Sequence, residues 1–347
     1  MSMEKRYLEL HREALVVDTH CDALQCLYPG RADPLTPHRV ELGLGKRASV
    51  GHVDIPRLIE GGVDCQVFAI GAARVIFPPR AVKAALQMID IFYRECEKNS
   101  EAITPVFSHG DILKAHAEGK IAALLAVEGG EVIGGDTGVL RMLYKLGVRI
   151  FSLVYHRSEL ADGASQNRTK GGLTTLGLQV AEELQRLGIV VDVSHLNDAG
   201  FWGLMEVVKK PVIASHSSCR ALCDHPRNLT DEQIEAMAER GGVVGVAFAP
   251  GFIHPVKATV ERVVDHIDHI VEFVGVDHVG LGSDFDGIST TPEGLEDVTR
   301  MPNVTKVLVE RGVLGGGCEE DSGGESPPRL QTSHGLNKGL EKGDGIP

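Results

Sequence analysis

No uninterrupted apolar run in this chain reaches the about 18 residues that cross a bilayer as a helix, so no membrane span is expected. Its opening stretch, MSMEKRYLELHREALVV, lacks a basic segment leading into an apolar core and a small-residue cleavage site, and no secretory leader is expected either. Positive charge is scarce: the formal net charge is −13 and the pI about 5.6. Neither nucleic acid nor an anionic membrane surface rewards so acidic a partner. Cysteine is also sparse and odd in number, with seven among 347 residues. That usage reads as reduced thiols in a cytoplasmic protein, not as a disulfide framework. Cys219 and Cys223 stand C-x3-C but have no second pair to complete a tetrahedral site. Finally, no G-x-G-x-x-G follows the first apolar run, which disfavours an open dinucleotide-binding sheet.

What is present is a series of short apolar runs. They fall at 14–22, 63–72, 121–130, 148–156, 188–195, 211–217, 242–248 and 278–285. Their brevity and β-branched content suit buried parallel strands. Most are separated by segments of helical periodicity, including Arg80 to Lys98, Leu173 to Leu187, Asp198 to Lys210, Asp231 to Arg240 and Thr259 to Phe273. A long loop is expected between Cys26 and Ile55, and a short amphipathic helix over residues 1–13. Eight alternations of strand and helix in one chain of this length predict a (β/α)8 TIM barrel, as a single domain over residues 1–311.

In such a barrel the C-terminal strand ends build the functional site. Here polar residues close the runs: His20 and Asp22, Glu128, His156, His195, His216 and Asp284. His20 and Asp22 are two apart, so on a strand they point to one side and converge as an imidazole and a carboxylate. A single histidine of this kind is more often a satisfied core residue, but their joint placement favours a metal site. One catalytic zinc usually keeps three protein ligands and an open position, so five ligands fit two metals sharing a carboxylate. His266 and His269 lie on a helix and are not expected to bind metal; His52, His109, His116, His225 and His278 have no evident convergent partners. Arg227, in HPRNLTDEQI, reads equally as a clamp for a substrate carboxylate or as a surface partner of Asp224 or Asp231.

The segments VVDTHCDAL, HVDIPRLIEGGVDCQVFAI, ALLAVEGGE, LVYHRSELADGA, VDVSHLND, VIASHSSCRAL, HPRNLTDEQI and GLGSDFDG, the last followed by PEGLEDV, occur in an order that resembles the membrane (renal) dipeptidase family of binuclear zinc peptidases. The resemblance covers residues 14 to about 311. It implies an amidohydrolase-like barrel holding two Zn2+ ions. His20 and Asp22 would bind the first, His195 and His216 the second, and Glu128 would bridge them. His156 and Arg227 would contact substrate, with His156 stabilising the oxyanion. Asp284 would pass a proton from the attacking hydroxide to the leaving amine. Dipeptide substrates follow, with tolerance of a C-terminal D-residue, and a homodimer is compatible with the family. The alternatives are another binuclear amidohydrolase, such as an acyl-amino-acid deacylase, lactonase or phosphotriesterase, or a barrel that has lost turnover.

From Gly312 to Pro347 the chain is rich in glycine, with Pro327 and Pro328 adjacent and no apolar periodicity, so a disordered tail is expected. The family continues here with an amphipathic helix. A choice of codons exists for residues 313–334 whose reading one base later restores such a helix, so a one-base frameshift is the expectation, with a destabilised protein as its consequence. Resequencing the gene tests it.

Overall fold

Segments of three to eight residues, most of them buried, form the strands of the computed structural model, which describes residues 3–29, 42–71, 78–156, 158–164 and 171–312. The strands are β1 (Val17–Cys21), β2 (Cys65–Gly71), β3 (Ile103–Pro105), β4 (Ile121–Glu128), β5 (Val148–Ser152), β6 (Val190–Asp192), β7 (Val212–Ser217), β8 (Val243–Val246) and β9 (Val279–Leu281). All pair in parallel, and the pairings β1–β9 and β2–β4 close the ring β1-β2-β4-β5-β6-β7-β8-β9. The result is a (β/α)8 barrel. Its eight strands coincide with the eight expected runs. Strand β3 was not expected: Ile-Thr-Pro is too short to show periodicity, and it sits outside the ring, paired with residues 121–123 of β4.

Alternation along β4 explains how a carboxylate reaches the barrel mouth. Ala122, Leu124 and Ala126 join Val67, Ile150, Val190 and Ile213 in the inner core, whereas Ala123, Leu125 and Val127 face the surrounding helices. Glu128 follows Ala126 by two and so continues the inner row. Val106, Ile112 and Ala115 close the opposite end. Outside the barrel, Phe68, Phe92, Phe151 and Phe201 are fully buried, each contributing about 1.5–3 kcal/mol by leaving water.

Several helices begin where a hydroxyl or amide side chain accepts an otherwise orphaned backbone N–H. Thr174 caps Thr175–Leu187, Asn197 caps Asp198–Val207 and Thr259 caps Val260–Val274. Thr230 and Gln233 form a reciprocal capping box at the start of Asp231–Ala238. Within the expected loop from Cys26 to Ile55, residues 30–41 lie outside the described residues, and the segment is flanked by short helices Ala23–Leu27 and Ile55–Glu60 that were too brief to read from periodicity. The expectations for the tail from residue 313 lie outside the described residues as well. Among the described residues, no helix is long and apolar enough to cross a membrane.

Candidate metal centre

Strand ends that are far apart in sequence converge at the C-terminal mouth of the barrel. His20 lies in β1 and Asp22 just beyond it, Glu128 ends β4, His195 follows β6, His216 lies in β7 and Asp284 follows β9. Glu128, His195 and His216 present ligand atoms within 4.8 Å of one another, and so do His20, Asp22 and Glu128. Glu128 belongs to both groups. Its Oε1 stands 2.9 Å from His195 Nε2, 3.5 Å from His216 Nε2 and 3.6 Å from His20 Nε2. Asp284 makes a third group with His20 and His216.

The local backbone is shaped to allow this convergence. Gly129, at φ +101, turns the chain directly after Glu128, and its N–H donates to Ser152 Oγ. Among the described residues, the only non-glycine residues at positive φ are His195 (72°), Asp284 (61°) and Asp286 (66°). Such conformations cost of order 1–3 kcal/mol, and two of the three carry site side chains. A Cβ on Gly287 would collide with carboxylate oxygens of both Asp22 and Asp284 where they stand, so a side chain there would turn these acids away from each other.

The donor set suits a cation. His20, Asp22, Glu128, His195 and His216 are all buried. Burial, reinforced by the Arg227 cation, pushes the His20 pKa down to about 3. His195 and His216 are also pushed well below 6.5, mainly by burial. Neutral imidazole is the form that ligates metal. His20 Nε2 has no hydrogen-bond partner although it is buried, and it points toward Glu128 Oε1 and, at 4.0 Å each, toward Asp22 Oδ2 and Asp284 Oδ1. His195 Nε2 and His216 Nε2 lie 2.8 Å apart. Two neutral ring nitrogens this close can share one proton at most, whereas a cation between them and Glu128 would use both lone pairs. Nitrogen and carboxylate oxygen in these numbers match zinc chemistry.

A cavity of about 360 Å³ opens onto this cluster, lined by Asp22, Glu128, His195, His156, Arg227 and Asp284 among others. All the sequence-derived site residues therefore lie at one mouth. His156 is exposed at the cavity's edge, its ring 4.2 Å from that of Tyr155. Arg227 is buried rather than paired at the surface with Asp224 or Asp231. It donates from Nη2 to His216 O (3.2 Å) and from Nη1 to Ser217 Oγ (3.5 Å), its Nε has no partner, and the guanidinium lies 5.4 Å from the Phe252 ring centroid. Arg220 is the arginine that pairs at the surface, with Asp198.

Several residues escaped sequence reading. Tyr155, His225, Phe252 and Ile288 line the cavity. Tyr155 adjoins the expected His156, which was a usable signal; Phe252 follows β8, whose end has no ligand-type residue to mark it. The five histidines thought to lack partners include His225, whose ring is 4.6 Å from Phe252, His52, which accepts the Asp286 N–H, His116, which meets Asp64 at 2.9 Å, and His278, which meets Gly242 O at 2.8 Å. His266 and His269 stay outside the site. His266 accepts the Cys219 N–H and bonds Ile253 O; His269 pairs with Asp231. Cys219 and Cys223 are free and buried.

The closed parallel barrel and its histidine–carboxylate mouth define a class, the (β/α)8 proteins with a candidate two-metal centre. The family is narrower: residues 4–315 match the family described as Membrane dipeptidase (Peptidase family M19), and the chain belongs to it. Dipeptidase aclJ of Aspergillus oryzae is 37% identical over 276 residues, covering 76% of this chain and 65% of that protein. Dipeptidase tcpJ of Claviceps purpurea is 34% identical with the same coverage, so the match spans about two thirds of these relatives. Dipeptidase verJ of Clonostachys rogersoniana is 32% identical over 324 residues, 88% of this chain and 81% of that protein. Among solved structures, a metallo peptidase from Rhodobacter sphaeroides, liganded with a phosphinate mimic of the dipeptide L-Ala-D-Ala, superposes with TM-score 0.81 at 28% identity, covering 95% of this chain and 99% of that one.

Proposed function

We propose that this chain is a zinc-dependent dipeptidase. The observation that carries the reading is the pair of three-residue ligand groups sharing Glu128 at the floor of a cavity that also contains the buried Arg227 cation. His20 and Asp22 would hold one Zn2+, His195 and His216 the other, and Glu128 would join them. Ions bound there would make a water acidic enough to ionise near neutrality and would polarise the scissile carbonyl.

The remaining roles fall to this chain's own side chains. Arg227 holds the substrate's C-terminal carboxylate, since its planar fork matches that anion and its burial keeps water from competing. This fixes the distance from the carboxyl end to the scissile bond, so that the last peptide bond is the one presented for cleavage. His156, at the cavity edge, donates a hydrogen bond to the oxygen that gains charge as the carbonyl is attacked. Asp284 holds the proton released by the attacking water at a carboxylate oxygen and delivers it to the departing amine. The 360 Å³ cavity suits a ligand of dipeptide size. Acceptance of a D-residue at the second position is supported by the L-Ala-D-Ala mimic bound to the Rhodobacter sphaeroides relative. The free, buried thiols of Cys21, Cys65, Cys96, Cys219 and Cys223 suit a reducing, cytoplasmic setting.

The test is metal content measured together with cleavage of an L-L and an L-D dipeptide, before and after chelation. About two zinc ions per chain and cleavage that is lost on chelation and restored by zinc are expected. Folded, zinc-loaded protein that cleaves neither dipeptide would overturn the reading.

A further inference from the structure

Beneath the ligand cluster, inside the barrel, stands a buried hydroxyl that the proposed chemistry does not use. Ser215 Oγ lies 2.6 Å from Asp192 Oδ2, 2.8 Å from His216 Nδ1 and 3.5 Å from His20 Nδ1. A fourth neighbour, Ser194 Oγ, is 3.4 Å away and accepts the His216 backbone N–H. Ser215 and Asp192 are both buried. Asp192 Oδ1 is itself fixed, accepting the backbone N–H of Ser194 and of Ser215 at 2.9 Å each.

A hydroxyl has one proton and two lone pairs. The short contact to the carboxylate takes the proton, because a carboxylate only accepts and a charged acceptor makes the stronger bond. Ser215 Oγ then meets both imidazoles as an acceptor, so the nitrogen facing it must carry hydrogen. With Nδ1 protonated, Nε2 of each ring keeps its lone pair toward the mouth. His20 and His216 belong to different halves of the proposed centre.

We propose that Ser215, polarised by Asp192, is a positioning residue that sets the tautomer of His20 and His216 together and so prepares both metal sites from a single hydroxyl. This rests on the two-metal reading above. The polarity of the chain Asp192–Ser215–His216 matters as much as its shape. In D192N the amide nitrogen would face Ser215 Oγ and donate to it, while the amide oxygen keeps the two backbone N–H bonds. The Ser215 proton then turns to His216 Nδ1, hydrogen moves to Nε2, and the ligand lone pair is lost without loss of volume.

The experiment compares wild type, D192N and S215A, each prepared metal-free. Zinc affinity is read by competition with a chromophoric chelator, folding by thermal unfolding of the metal-free proteins, and ring tautomers by long-range 15N–1H correlation of the histidines. Wild type is expected to show Nδ1–H at His20 and His216. Both variants should bind both zinc ions about 10- to 100-fold more weakly, the range found when a ligand's orienting partner is removed. Metal-free D192N should unfold close to wild type and shift His216 to Nε2–H, whereas S215A, which takes the hydroxyl partner from the buried Asp192 Oδ2, should unfold at a lower temperature while still folding. Unchanged affinity in the folded variants, or Nε2–H at His216 in metal-free wild type, overturns the proposal. If either variant fails to fold, the wild-type tautomers decide. Wild type that takes up no zinc would refute the two-metal reading separately, and the tautomers would still judge the hydroxyl.

Discussion

Replacing Arg227 by methionine isolates substrate recognition from metal chemistry. The guanidinium is buried and makes two hydrogen bonds to protein among the described residues, with Nε unpartnered. Burial pushes its pKa down while Asp284 and Glu128 pull it up, so the cation is held at some cost in the free protein. R227M keeps the length and packing beside Phe252 and removes the charge. A hydrogen bond to a charged group contributes about 1.5–3 kcal/mol, which corresponds to about a 10- to 150-fold loss in kcat/KM for a free dipeptide. The stability of the folded chain should not fall, because a buried charge whose desolvation outweighs the attraction of Asp284 and Glu128 is removed. Metal binding should be no weaker, since Arg227 is among the groups that disfavour positive charge at His20 and His216. The assay pairs each dipeptide with its C-terminal amide. Wild type should favour the free acid by the factor above, and R227M should cleave the two nearly alike. Equal losses on acid and amide would refute a carboxylate clamp and assign Arg227 to the structure of the mouth.

Two further outcomes concern stability. Asp54 accepts from Arg57 Nε at 2.8 Å and from the Arg57 backbone N–H, and both side chains are almost wholly buried. D54A strands the guanidinium and should lower unfolding free energy by about 3–5 kcal/mol in urea titration, whereas a change under about 1 kcal/mol would show that Asp297 alone neutralises it. His11 ties the N-terminal helix, Met3–Glu13, to the rest of the barrel through Gly61 O and Thr305 Oγ1, and burial holds its pKa below the ordinary 6.5. The unfolded chain therefore binds the proton more readily than the folded one. Its contribution is complete above pH 6.5 and is lost as the pH falls through the lowered folded value. H11Q lacks this titration, so the stability difference between wild type and H11Q should narrow on acidification below 6.5; a gap independent of pH would contradict it.

The eight barrel strands were legible because burial on both faces demands continuous apolar runs, and polar ligand types mark the points where those runs stop. The pairing of His20 with Asp22 followed from the two-residue period of a strand, before any fold was known. Periodicity could not report β3 or the short helices beside the 30–41 segment, since three residues of strand and five or six of helix fall short of two full repeats of their patterns. Nor could it decide between the two readings of Arg227. Sequence places that arginine between Asp224 and Asp231; only closure of the barrel takes it beneath the mouth, next to His216 and Phe252.

The residue types, their order and the strand-end positions of His20, Asp22, Glu128, His195, His216 and Asp284 were determined by the sequence alone. That Glu128 stands between three histidines, that Asp284 comes within reach of His20, and that one serine hydroxyl touches two imidazoles were decided by tertiary structure. The physical reason is that local periodicity fixes which face a side chain occupies. Distances between faces from different strands depend on the register and closure of the whole ring.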